Sequence, residues 1–549
     1  MNLFKKQKKT SEHMFTESEK RERKIAELFR DAAARRTEIE EYWQKMQSYY
    51  DGTHETAKKT GDFLASVNLP WKPAQVPDAY MHVESQVSAK MPDFEFAPRT
   101  EADSTAAKVR EKLVRYICDI NDMERKNAEN ERRLNTVGSA VWKICAAIDE
   151  RGMPEVAIDN PLPASVYPDP GAVCVDECEF IGYAYKMSKA RAERVFSEDF
   201  ARMGTNLDEL ICEAKHDKKA RENFDFDIYN EQNPTVDVLE WWFRQDHDGT
   251  YMRGDGSVTC YVRGDIALSI IVGGKEIRYV PKFWTNTPCR RFPFVIYGRV
   301  PRDGSVWGKS ELEQIIPLID AADRQMAFAQ LNTAFFANDI LIYEENAFAP
   351  DSFPDNRPGA VWKLRPGMID KVSRLGGLSK DSESHYEIVD KYRRMIKETL
   401  GNYDYMQGDY STNVTTATGL ALLSDLATER MNAKNVCKKA GFYDLYRLMD
   451  IFALEFYTSE KAELVTGEQA CECFAPCCYV PELDVRIHIG EGIENSRSFT
   501  VSALSELMKT SVNEENYPMV RAYLCAVDVP SKTELIAELD KKFGKNKGE

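Results

Sequence analysis

The chain has 549 residues, 43% apolar and 11% aromatic, enough for several buried modules and too much for a disordered protein. Its net charge of −16, from 73 Lys and Arg against 89 Asp and Glu, argues against a protein that grips nucleic acid by its phosphates. It does not argue against one that DNA passes without sticking. No stretch of about 18 uncharged apolar residues occurs, so no membrane partner is expected.

The opening "MNLFKKQKKT" lacks the apolar core of a signal peptide, so nothing directs export and the 13 cysteines read as cytosolic thiols. Residues 1–16 read as a basic, flexible arm. Residues 17–50 predict a long amphipathic helix, because Ile25, Leu28, Ala32, Ile39, Trp43, Met46 and Tyr50 recur near the helical period. A second helix is predicted over about 102–135, with Val109, Leu113, Tyr116 and Ile120 on one face. Between them His82-Val83-Glu84 imitates the H-x-E of zinc deaminases. Its partner half fails, since Pro476-Cys477 is followed by Val480 where a cysteine is required.

The period then changes. Residues 141–161 read as a hairpin turning at Arg151-Gly152, and 163–172 as a proline-punctuated loop. Strands are predicted at 180–187, 236–244, 258–262, 266–272 and 277–280, with a charged helical insertion at 189–222. Arg263-Gly264-Asp265, between two of these runs, reads as a hairpin turn.

"RVPRDGSVWGKSELEQI" (299–315) follows an apolar strand (294–297) and resembles a phosphate-binding loop. That loop needs G-x-x-x-x-G-K-[ST] so that backbone amides wrap a phosphate. Here Asp303 holds the first glycine's place and Gly304 lies one residue too close. The later run "ILIYEE" (340–345) ends in Glu rather than the Asp that would orient Mg²⁺. The stretch therefore reads as a glycine-rich turn entering a helix.

That helix carries Ile315, Ile319, Ala322, Met326, Ala329, Thr333 and Phe336 as a seam, with Pro317 as its first residue after a short turn. A Pro- and Gly-dense excursion occupies 346–377. A returning helix at 383–400 bears an inner stripe of Ile388, Tyr392, Met395 and Thr399. A polar loop (401–419) leads into a helix reaching about 458, roughly 60 Å long. "CECFAPCC", with Cys471, Cys473, Cys477 and Cys478, is too compressed for a structural zinc site and reads as free thiols. A strand at 483–489 and a helical tail at 498–543 close the chain. No catalytic constellation, metal or cofactor is expected.

A helix pair separated by a protrusion suggests a subunit whose seams face copies of itself. At this point "VYPDPGA" (166–172), "GKSELEQIIPLIDAADRQMA" (308–327), "RPGAVWKLRPG" (357–367) and "IKETLGNYDYMQGDYSTNVTTATGLALLSD" (396–425) resemble the portal (head-to-tail connector) proteins of tailed double-stranded-DNA bacteriophages. The resemblance implies an α+β, predominantly helical subunit. Its parts would be a mixed wing (17–307), first stem helix (308–345), clip (346–377), second stem helix (378–400), tunnel loop (401–419), long wing helix with return strand (420–497) and short crown (498–549).

It further implies a ring, commonly of twelve copies, at one capsid vertex, in the virion and in the host cytoplasm during assembly. Double-stranded DNA would pass its channel, with terminase, a head-tail adaptor, and major capsid and scaffolding proteins as partners. Gln407, Asp409, Tyr410 and Asn413 would present polar groups to DNA from the tunnel loop, and Arg393, Arg394 and Lys397 from the stem. Phe353, Arg357 and Trp362 would meet partners in the clip. The alternatives are a virion component without a channel, or a packaging ATPase, against which the loop at Gly308 speaks.

Overall fold

Apolar residues at helical spacing dominate both ends of the chain, and helix outweighs strand, about 54% to 23%. The computed structural model describes residues 16–66, 78–87, 91–98, 104–204, 206–209, 235–253, 256–262, 264–337, 340–350, 352, 363–375, 382–400, 417–467, 483–488 and 520. In chain order come α1 (Glu17–Tyr50), α2 (Glu55–Ser66), α3 (Asp78–Gln86), β1 (Asp93–Pro98), α4 (Ser104–Ile120), α5 (Met123–Thr136), β2 (Ser139–Ile148), β3 (Pro154–Asp159), β4 (Val166–Pro168), β5 (Phe180–Ser188), α6 (Lys189–Val195) and α7 (Ser197–Met203). They are followed by β6 (Thr235–Arg244), β7 (His247–Arg253), β8 (Gly256–Val262), β9 (Ile266–Val272), β10 (Lys275–Val280), β11 (Phe294–Gly298), α8 (Ile316–Ala337), β12 (Ile340–Tyr343), β13 (Val372–Leu375), α9 (Ser382–Leu400), α10 (Ala417–Phe456), α11 (Ser459–Thr466) and β14 (Leu483–His488). The chain divides into two units: 1–44, 88–310 and 440–486 form one, and 45–87, 311–439 and 487–549 the other.

The first unit holds a five-stranded antiparallel sheet, β10-β9-β6-β5-β4, and a three-stranded one, β11-β2-β3. Every residue of β9 is buried. Its turn into β10 is Gly273-Gly274, both at positive φ (60° and 88°), the two-residue geometry that suits strand twist and favours glycine. On one face Ile25, Ala26, Phe29 and Ala32 of α1 pack against Phe180, Leu239, Trp241 and Ile271. Arg36 anchors the same helix, donating to the carbonyls of Val166 (2.6 Å) and Ala164 (2.6 Å). A buried ion pair, Lys143 Nζ to Glu240 Oε2 at 2.7 Å, joins β2 to β6.

Three expectations need correction here. The predicted 102–135 helix is two helices, because Asn121 leaves the helical path to bond β3: its amide nitrogen donates to Val156 O and its oxygen accepts from Ile158 N, both at 2.8 Å. Asp122 then turns left-handed (φ 50°), a conformation Asp tolerates better than most residues. Gly264-Asp265 does not turn a hairpin. β8 pairs with β7, a strand without a clear apolar alternation, while β9 pairs with β6, so 264–265 close the base of an inserted ribbon through Gln245 N to Asp265 O (3.0 Å). The loop at 163–172 also contains β4, paired with β5.

The last third of α10 is buried nearly all round. Phe442, Leu445, Tyr446, Leu448, Met449 and Phe452 are at most 2% exposed, as expected of a helix at the centre of a core. Phe452 meets Trp284 edge-on (ring centroids 5.0 Å), and Tyr446 packs on Phe94 of β1 (4.2 Å). β1 pairs with β14, so this unit also draws together strands from near both ends of the chain.

Glu455, at the end of α10, sits in a nest of donors: the backbone amides of Thr285, Asn286 and Thr287 and the hydroxyls of Thr285 and Thr287, all within 3.1 Å. Burial pushes its pKa up, but the amide and hydroxyl donors outweigh that and hold it below 4.5. A depressed carboxyl stabilises the fold above its unfolded pKa, and that contribution is lost as pH falls through the lower folded value. Glu455→Gln puts an amide NH₂ among donors and is expected to cost about 2–3 kcal/mol at pH 7. Urea midpoints measured from pH 7 to pH 3 should show the gap from wild type shrinking towards acid. A gap independent of pH would refute the assignment.

In the second unit α8 runs between α2 and α9, with Ile315, Ile319, Ala322 and Ala329 buried. Pro317 is its second residue, after a 3₁₀ turn at Glu311–Gln314. Beyond Ala337 the chain forms the β12–β13 ribbon, Ile340 opposite Leu375. The stripe expected on α9 is displaced by one residue, about 100° around the helix. Val389, Ile396 and Leu400 are buried, whereas Met395 is 49% exposed and Ile388, Tyr392 and Thr399 are half-buried. The distal part of the 189–222 insertion, the Cys471–Cys478 cluster and the tail at 498–543 lie outside the described residues, Val520 apart.

Candidate functional site

The loop that resembles a phosphate cradle is built from three glycines in close approach. Gly138, between α5 and β2, adopts φ 87°, and a Cβ there would lie 2.3 Å from the Lys309 carbonyl carbon. A Cβ on Gly298 or Gly308 would lie 2.6 Å from the other's Cα. Val300 and Lys309 bond each other's backbone as an antiparallel bridge, Lys309 N to Val300 O at 2.8 Å.

The amides that a phosphate would need are thereby committed. Gly308 N donates to Ser139 Oγ (2.9 Å) and Ser310 N to Tyr42 Oη (2.8 Å), while the buried Ser310 hydroxyl donates to Asn135 O (2.9 Å). Lys309 is exposed. The arrangement fixes the chain's exit from β11 and offers no concave row of free amides. Gly138 was not singled out from sequence. The "VGS" between a helix and a strand is its only trace, and the need for glycine arises from segments some 160 residues away.

The helices of the second unit are pinned by polar pairs. His54 Nε2 lies 2.7 Å from Asp323 Oδ2 on α8, and the Tyr49 hydroxyl donates to Asp320 Oδ1 (3.0 Å). Tyr50 donates to Glu84 (2.8 Å), while His82 Nε2 is 3.7 Å from Glu311. The two ends of the H-x-E triplet therefore serve different partners. Burial raises the pKa of Tyr49, its bond to Asp320 adding to the shift, and burial likewise raises that of Asp78 against the pull of Arg393. Among the described residues no group of three or more His, Cys, Asp or Glu could hold a metal ion. No helix searched is long and apolar enough to cross a membrane.

The stem residues singled out from sequence separate on α9. Arg393 Nε pairs with Asp78 of α3 at 3.4 Å, whereas Arg394 and Lys397 are exposed. Gln407, Asp409, Tyr410 and Asn413, and Phe353, Arg357 and Trp362, lie outside the described residues.

Comparison with curated proteins returns no match. Residues 75–418 match the phage P22-like portal protein family, a stretch that includes the glycine junction, α8 and α9. With well over half of its length matched and a mixed, mainly helical fold, the chain belongs to the P22-like phage portal proteins, the structural head-to-tail connectors of bacteriophage capsids.

Proposed function

We propose that the chain is one subunit of a ring, commonly of twelve copies, set at a single capsid vertex, through which double-stranded DNA is packaged and ejected. The family match over 75–418 carries this reading. Residues 346–377 form the clip that docks terminase during packaging and an adaptor afterwards, with Phe353, Arg357 and Trp362 meeting those partners. The region 17–307 and α10 form the wing towards the shell and scaffold, and 498–549 a short crown. The net charge of −16 suits a conduit, since an acidic, polar wall repels phosphate and lets the duplex slide.

The exposure of Arg394 and Lys397 supports their placement on the lumen side as sparse basic contacts, with Arg393 held at the edge of that face by Asp78. Gln407, Asp409, Tyr410 and Asn413 line the narrowest part as uncharged or repelling groups. Packaging energy comes from a separate terminase ATPase. The test pairs purified chain with ATP and compares wild type with Lys309→Ala. Neither should bind or hydrolyse nucleotide, and heads assembled with Lys309→Ala should package DNA at the wild-type rate. Hydrolysis by the chain alone that Lys309→Ala abolishes would overturn the reading.

A further inference from the structure

Exposed apolar side chains on α8 and α9 fall on two different surfaces. One is a cleft of about 420 Å³ between α2 and α8, where Ala327, Phe328 and Leu331 meet the charged side chains of Glu55, Lys59 and Arg324. Phe328 is 50% exposed there. The other is the α9 stripe of Ile388, Tyr392, Met395 and Thr399. Its own α8 takes the adjacent face, Val389, Ile396 and Leu400, so the stripe remains partly open to solvent. Apolar surface of this kind marks contact with another molecule.

The two surfaces are complementary in charge. The cleft brings two cations and one anion, while the stripe is bordered by Glu387, Lys391 and Glu398, two anions and one cation. They are also different surfaces of the same chain, so pairing one with the other is a head-to-tail contact, which closes into a ring when the rotation allows. We infer that the α2–α8 cleft of one copy seats the Ile388, Tyr392, Met395 and Thr399 stripe of the next copy, with Glu387 and Glu398 over Lys59 and Arg324.

This seam rests on the ring reading above and gives α9 three faces. One packs on its own α8, one on the neighbouring subunit, and the third, with Asp390, Arg394 and Lys397, stays uncovered for the lumen.

Native mass spectrometry of the full chain at micromolar concentration tests the seam. Phe328→Asp and Met395→Asp should each lower the ring fraction at least tenfold, with far-UV melting unchanged. Ile148→Asp, at a β2 position that is 76% exposed and belongs to neither surface, should leave assembly intact. Arg324→Glu alters only a surface charge and should weaken the ring, and adding Glu387→Lys with Glu398→Lys should restore it. If wild type forms rings and these variants assemble equally well, the seam is wrong and the ring reading survives. If wild type forms no ring, both fail.

Discussion

Asp450→Ala is expected to destabilise the protein by about 3–5 kcal/mol, the cost of stripping the counter-ion from a buried guanidinium. Asp450 on α10 and Arg110 on α4 are each 4% exposed and face each other as a fork, Nε to Oδ1 at 2.8 Å with Nη2 on Oδ2. Such a pair contributes little net stability over an apolar pair of the same shape, because both ions lost their water on folding. Removing one partner leaves that desolvation uncompensated. The double replacement Arg110→Met with Asp450→Leu should therefore cost much less than Asp450→Ala alone. Urea midpoints of wild type and the two variants decide the matter, and a double variant as unstable as the single would show that packing, and not charge, is what Asp450 supplies.

Gly138→Ala should cost about 2–5 kcal/mol, combining left-handed backbone strain with over-packing. The methyl would meet backbone atoms of Lys309 and Ser310, at 2.3 and 2.4 Å, which cannot move as a flexible side chain would. Relief requires parting the Val300–Lys309 bridge, so β11 and the 3₁₀ turn ahead of α8 should lose amide protection together. Hydrogen exchange localises that loss. Protection unchanged at 298–312 with a wild-type urea midpoint would refute the account of the junction. Gly152→Ala is the control, because its positive φ (79°) carries the strain but no atom lies within 4 Å of its Cβ.

Local periodicity made much of this fold legible. α1 emerges at 17–50 as its stripe predicts, the hairpin turns about Gly152, and β5, β6, β9 and β11 fall where their apolar runs lie. What sequence hid depends on long-range pairing. β1 finds β14 some 390 residues away, and β7 is a strand because β8 lies beside it. Asn121 ends a helix for the sake of hydrogen bonds to β3. The stripe on α9 misled for a different reason. Its apolar residues are real, but the face packed on α8 is one residue further round, and a single chain leaves Met395 exposed.

The functional reading was legible in the same uneven way. Counting residues between glycines was enough to doubt a nucleotide loop, whereas the amide commitments of Gly308 and Ser310 needed the fold. Composition explains why DNA would slide and not stick. It does not say which residues touch it.

The most direct test of the central claim is the mass of the assembled particle. Native mass spectrometry, with negative-stain imaging of the same sample, should give a closed ring with an axial hole and a mass of about 750 kDa for twelve copies of the 62.7 kDa chain. A monomer or open filament at every salt and protein concentration tried would contradict the account of this chain as a DNA conduit.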